Sequence, residues 1–213
     1  MMQAVHTVQL PEDTPGIADA PLLESVHQVA PTERVVAALE LIERHAHVES
    51  VLVEDVRAMI RDLTLALEPF DSPTMVHGDV HFENVLWDGQ QVTGLLDYKW
   101  ARPAPPDIEL DVLLRYCALP FIYVDDAHRR QVTAESHAQV PWWLADAYPA
   151  LFSSPRQFDR MRVYSIAFDV RELLLYPPPL PAERLPEHHP YRRLIRMVQG
   201  QSHLDALARA PAA

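Results

Sequence analysis

Asp79, Asn84 and Asp97 are the residues of this 213-residue sequence whose types and spacing can do chemistry together. They fall in Met75-Val76-His77-Gly78-Asp79-Val80-His81-Phe82-Glu83-Asn84-Val85-Leu86-Trp87 and in Gly94-Leu95-Leu96-Asp97. Asp79 and Asn84 stand on a loop between two apolar, β-prone runs, and Asp97 ends the next such run. A returning hairpin would let all three oxygen-bearing side chains converge on one point. One or two carboxylates with an amide are the hard ligands Mg²⁺ takes when phosphates and waters complete its octahedron. A carboxylate left free beside such a metal can orient a hydroxyl for in-line attack on a phosphoryl group.

Periodicity gives the elements that must position these residues. Thr74–His77, Val85–Trp87 and Val92–Leu96 are the strand candidates, with Asp88-Gly89 as a turn dipeptide between the second and third. Upstream, Thr32 is a candidate N-cap, and Val35, Val36, Leu39, Ile42 and Ala46 predict a helix over 33–47. Val53, Val56, Met59, Ile60, Leu63 and Leu67 predict a second over 52–68. After Pro105-Pro106 the helical period returns in Ile108, Val112, Leu113 and Tyr116, proline supplying the φ of a helix start. Further helices are expected near 126–139, 142–150, 156–176 and 190–209. Residues 1–31, punctuated by Pro11, Pro15 and Pro21, read as an extended or partly ordered arm, and 32–213 as one helical lobe. The expected class is mainly α with a few short β strands.

The pattern H-G-D-x-H-x-x-N over His77–Asn84, followed by an apolar strand ending in Asp97, resembles the catalytic loop and metal-binding strand of the aminoglycoside phosphotransferase family, relatives of protein kinases. The kinase pattern H-R-D-x-x-x-x-N has the spacing of Asp79 to Asn84, and its D-F-G aspartate corresponds to Asp97. Pro106-Asp107-Ile108-Glu109-Leu110-Asp111 is similar to the family's G-D-x-x-x-D-L segment, with proline where glycine is usual. The resemblance implies a protein-kinase-like carboxy-terminal lobe over roughly Thr32 to Tyr176. It further implies Asp79 as the catalytic aspartate, Asn84 and Asp97 as holders of Mg²⁺, and ATP or GTP as phosphoryl donor. The acceptor it implies is a hydroxyl of an aminoglycoside-like, choline-like or sugar-amine small molecule. It locates no nucleotide-binding residue.

The supporting residues have competing readings. His77 is expected to brace the loop by hydrogen bonding, whereas His81 divides evenly between lining the site and packing the loop. Asp107 and Asp111, four apart on one helix face, are expected to cap the helix start and to tie it to the catalytic loop, ahead of binding metal. A zinc or iron reading of His77-x-Asp79-x-His81 finds no second histidine pair to complete it. Lys99, the sole lysine, is expected to be solvated or ion-paired sooner than bound to phosphate. Trp142, Trp143 and Tyr148 are expected in the core, and the arginines from Arg156 to Arg196 on solvated faces.

Composition removes whole classes of function. With 30 Asp+Glu against 18 Lys+Arg, the formal charge of −12 repels phosphate backbones and anionic membranes, so neither nucleic acid nor membrane is an expected partner. Cys117 is alone, which excludes an intrachain disulfide framework and fits a reducing compartment. Met1–Leu10 has no basic stretch ahead of an apolar one, and Arg115 and Pro120 interrupt the apolar Val112–Val124, so a cytoplasmic location is expected. Five scattered glycines leave no phosphate-cradling glycine loop. Only 76 residues precede His77, and two helices consume 33–67, so a β-rich amino-terminal lobe with a strand lysine does not fit. The expectation is a phosphotransferase lobe, incomplete without a nucleotide-binding lobe encoded upstream, carried by a separate chain, or replaced by a homodimer mate. The alternative is a catalytically silent kinase-like lobe that binds a ligand or a partner.

Overall fold

The computed structural model describes residues 1–8, 32–67, 74–125 and 127–205. Among them the chain is mainly helical, with two two-stranded antiparallel sheets. This is the expected class, a helical kinase-like lobe with no β-rich companion among the described residues. No helix among these residues is long and apolar enough to cross a membrane. The chain divides into two compact units, one of Met1–Thr14, Asp71–Gln157 and His203–Ala213, the other of Pro15–Phe70 and Phe158–Ser202.

The first unit carries all the candidate chemistry. It opens with the short helix α1 (Met2–His6), which buries Val5 and His6 and lies against β1 (Thr74–Val76). β2 (Val85–Trp87) and β3 (Val92–Leu95) form the expected hairpin, Val85 opposite Leu95. Asp88 closes its turn: Oδ1 accepts the backbone N–H groups of Gln90 and Gln91, each at 2.9 Å, and Gly89 takes φ +101°. β1 pairs with β4 (Arg102–Ala104), Val76 opposite Arg102. α4 (Ile108–Ala118) follows and buries Ile108 through Cys117 on every side. A helix buried all round is apolar as a rule, so the buried Glu109, Asp111 and Arg115 on α4 each need a partner. α5 (Ala134–His137) and α6 (Val140–Ala147) cover it, with Leu113, Tyr116, Cys117 and Val140 in one cluster.

The second unit is helical. α2 (Thr32–Ile42) packs Val35, Ala38, Leu39 and Ile42 inward, and α3 (Ser50–Leu63) adds Val53, Val56 and Ile60. α3 also contacts α8 (Pro190–Val198), and the unit holds α7 (Gln157–Leu175) from Phe158 onward. Asp169 Oδ1 accepts Arg193 Nε at 2.9 Å in the interior.

Several elements are shorter than periodicity predicts. The helix expected over 33–47 stops at Ile42, and that over 126–139 reduces to α5 after a run of turns, residue 126 lying outside the described residues. α3 passes at Thr64 into a 3₁₀ turn through Leu67, and α8 ends at Val198, two residues before Gly200 at φ +75°. β4 is unheralded: Arg-Pro-Ala has no alternation, and its proline is tolerated because the two-stranded ladder leaves it an edge. Arg160 and Arg193 are buried, not solvated. Arg160 Nη1 donates to the Ala66 carbonyl at 3.3 Å, and Arg193 pairs with Asp169. Trp143 is 64% exposed, so the near-helical aromatic spacing there does not mark core. Met2–His6 is helical within the stretch read as an arm, whose residues 9–31 lie outside the described residues, as do 206–209 of the last expected helix.

Candidate functional site

The loop from His77 to Asn84 begins where β1 ends. Gly78 takes φ +80°, open to glycine at little cost. A Cβ there would strike the Arg102 guanidinium and sit 2.5 Å from the Trp100 carbonyl oxygen. Glycine at 78 therefore answers both a backbone angle and a close approach, and it turns the chain so that Asp79 points off the end of the strand.

Asp79 and Asn84 meet directly. Asn84 Nδ2 donates to the Asp79 carbonyl oxygen at 2.9 Å and to Asp79 Oδ2 at 3.3 Å, and lies 3.2 Å from His81 Nε2. His81 Nε2 is in turn 3.6 Å from Asp79 Oδ2. Burial pushes the Asp79 carboxyl up, but hydrogen bonding and charge from His81, followed by Asn84 and Lys99, outweigh it and hold the group below its ordinary value. Asp79 is thus an ionised, half-buried carboxylate.

Asp97 reaches this group through the backbone. The Leu96 N–H donates to the Asn84 carbonyl oxygen at 2.8 Å, so the residue ahead of Asp97 is fixed to Asn84. Asp97 itself holds the left-handed conformation, φ 58° and ψ 66°, which a non-glycine residue adopts at a cost and which clusters at working sites. Lys99 Nζ stands 3.2 Å from Asp97 Oδ2, with side chains 61% and 43% exposed. An open ion pair of this kind is worth about 0–1 kcal/mol. It yields readily to a divalent cation.

His77 is fully buried and stitches both strands of the site together. Its Nδ1 accepts the Asp79 N–H at 3.3 Å, which puts the ring proton on Nε2, and Nε2 donates to the Leu96 carbonyl at 2.7 Å. The peptide that carries Asp97 and the amide of Asp79 are thereby held by one imidazole.

The carboxylate that ties α4 to the loop is Glu109. Fully buried, it accepts the His77 N–H through Oε1 and the Gly78 N–H at 3.3 Å through both oxygens. The tie expected of Asp111 goes elsewhere: its Oδ2 accepts from Arg115, and Oδ1 lies 3.7 Å from His203 Nε2. Roughly 100° per residue separates side chains on a helix, so Glu109 faces away from the stripe shared by Asp107 and Asp111. Asp107 stands at the N-cap of α4 without a side-chain cap bond. Its φ −69° and ψ −8° are helical, whereas a capping side chain needs extended backbone. Burial lowers the Arg102 guanidinium to about 9 against the opposing pull of Glu109 and Asp79. Glu109 and Arg102 are the site residues that sequence reasoning missed. The available signal was an acid between Ile108 and Leu110, at a position where an apolar residue would continue the pattern.

Rings adjoin the loop. Tyr116 stacks on His81 at 5.4 Å between centroids, Phe82 meets its edge at 5.5 Å, and His137 lies 5.7 Å from Phe82. Beyond His137 opens a cavity of about 340 Å³ lined by Leu114, Cys117, Ala138, Pro141 and His203. Burial pushes both the Tyr116 hydroxyl and the Cys117 thiol up to about 12, so neither ionises near neutrality.

In kind, an amide oxygen and a carboxylate are donors that suit Mg²⁺. With Nδ2 turned to Asp79 and His81, Asn84 Oδ1 meets no donor among the described residues, and the Asp97 carboxylate is exposed beside Lys99. No three His, Cys, Asp or Glu side chains gather as a metal cluster among the described residues.

A sequence model of the phosphotransferase enzyme family matches residues 2–153, most of the chain and the whole of the loop, the hairpin and α4. The match begins well ahead of Thr32, where the motif-based resemblance begins, and stops short of Tyr176. No curated protein and no solved structure matches the chain.

Proposed function

The chain belongs to the phosphotransferase enzyme family, and from that we propose that it moves the γ-phosphoryl group of ATP or GTP to a hydroxyl of a small molecule. The observation that carries this reading is the bonded group of Asp79, Asn84 and the Leu96 backbone that leads into Asp97. Asp79 accepts the hydroxyl proton as the acceptor oxygen bonds to phosphorus. The bond from phosphorus to the bridging oxygen breaks, and the nucleoside diphosphate leaves with that electron pair. Asn84 and Asp97 would hold Mg²⁺, which neutralises phosphate charge when bound. His77 keeps the Asp79 amide and the Leu96 carbonyl in register, and Glu109 holds the loop backbone from below. The lowered pKa of Asp79 leaves it ionised, and so a proton acceptor, across the neutral range.

The ring cluster of His81, Phe82 and Tyr116 borders Asp79 and gives an acceptor its wall, with the cavity past His137 as room for its body. Glu83 and the formal charge of −12 favour a cationic alcohol of the aminoglycoside, choline or sugar-amine kind. A second reading has its own observation. Phe82, Leu86, Trp87, Val92, Leu96 and Tyr98 are all exposed around the hairpin. Large apolar groups gathered on a surface mark an interaction site. They suit a nucleotide-binding lobe on another chain, a homodimer mate, or the partner of a silent lobe.

Phosphoryl transfer from labelled Mg-ATP and Mg-GTP across a panel of amino-alcohols and sugar-amines separates these readings. Labelled product that disappears in Asp79→Ala is the expected result. Failure of every acceptor, together with capture of a partner that is indifferent to Asp97→Ala, would put the silent lobe in its place.

A further inference from the structure

His6 lies far from the motif in sequence, on α1, and the transfer reaction gives it no task. It is nonetheless buried, 7% exposed, and its two ring nitrogens are committed to opposite neighbours. Nδ1 is 3.1 Å from the Tyr148 hydroxyl, and Nε2 is 3.8 Å from Glu109 Oε1. Glu109 is the carboxylate that receives the His77 and Gly78 amides. We propose that His6 is a positioning residue for the 77–84 loop, acting through Glu109 with Tyr148 fixing the tautomer of its ring. The inference rests on the reading of that loop as catalytic.

A fully buried carboxylate has to be compensated from several sides. Two loop amides meet Glu109 from above, and the Arg102 guanidinium adds favourable charge. His6 supplies the remaining side. When the Tyr148 hydroxyl donates to Nδ1, the ring proton sits on Nε2 and faces Oε1. The other tautomer would aim a lone pair at a carboxylate and is disfavoured. Among the described residues Nε2 has no hydrogen-bond partner, and Glu109 Oε1 stands 3.8 Å from it. At 3.8 Å the contact is longer than a hydrogen bond. Its effect is to hold Glu109 Oε1, the oxygen that accepts the His77 amide, in place from the other side. The relay therefore runs from the Tyr148 hydroxyl through His6 and Glu109 to the two amides that lead into the Gly78 turn. α1, which also rests on β1, becomes a working part of the loop's support.

Hydrogen exchange of the His77 and Gly78 amides in the full chain reads this relay without needing turnover. His6→Ala is expected to speed exchange of these two amides by about tenfold, with β2–β3 amides unchanged. His6→Gln, which retains a side-chain N–H, is expected to restore most of the protection, and Tyr148→Phe to give a smaller loss than His6→Ala. In the transfer assay His6→Ala should lower kcat with the acceptor KM unchanged. Loop exchange unaltered by His6→Ala would overturn the proposal. So would a rise spread over the whole first unit that His6→Gln does not repair, since packing alone would then explain it. A wild-type chain that transfers no phosphate but keeps its His6-dependent protection strikes the phosphotransferase reading alone.

Discussion

At the scale of single residues, Asp79 is the test of the chemistry. Its folded pKa is lowered, so its contribution to stability is fully present above 3.8 and is lost as pH falls through the lower folded value. The acid limb of a pH–rate profile should accordingly show no inflection from Asp79 between pH 4 and 7; an inflection there that Asp79→Asn removes would contradict the lowered pKa. Asp79→Asn should cut phosphoryl transfer by about 10²–10⁴-fold with little change in fold, as loss of a positioned base does. The Asp79–Asn84 contact and the returning strand that leads into Asp97 were legible in the sequence, because a short loop and a hairpin follow from local spacing. Glu109 was not. Its direction off α4 depends on which face of the helix meets β1, and alternate acids at 107, 109 and 111 offer three candidates for one partner. The same ambiguity sent the expected tie to Asp111, which the structure gives to Arg115.

At the scale of elements, the turn at Gly78 and the clamp beneath it set the loop. Gly78→Ala forces φ +80° on a residue with a Cβ and drives that atom into Arg102, so it should cost about 2 kcal/mol or more in chemical denaturation. Removing the charge from the clamp while keeping its shape, as in Glu109→Gln, should cost about 1–3 kcal/mol, because an amide cannot satisfy two buried loop donors as a carboxylate does. A variant as stable as the wild type would show that the loop holds itself. Strong periodic elements were readable: α3, the β2–β3 hairpin and α4 lie where apolar spacing places them. β4 was not readable, since three residues with a proline become a strand only when β1 supplies a partner. The ends of α2 and α8 escaped for a related reason, because apolar residues continue past the point where the backbone turns.

At the scale of the whole molecule, the family match from residue 2 agrees with α1 being part of the unit that holds the loop. The surface around the hairpin then raises the question of completion. Should a second lobe or a homodimer mate cover Leu86, Trp87 and Leu96, then Trp87→Asp should abolish that association, read by sedimentation, and leave isolated-chain metal binding unchanged.

The central claim is that one divalent ion is held between Asn84 and Asp97 beside a free Asp79. Electron paramagnetic resonance titration with Mn²⁺ in the presence of ATP tests it most directly. One bound ion per chain is predicted, weakened about tenfold or more by Asn84→Ala and by Asp97→Asn and retained in Asp79→Asn. No bound ion, or binding indifferent to Asp97, would contradict it.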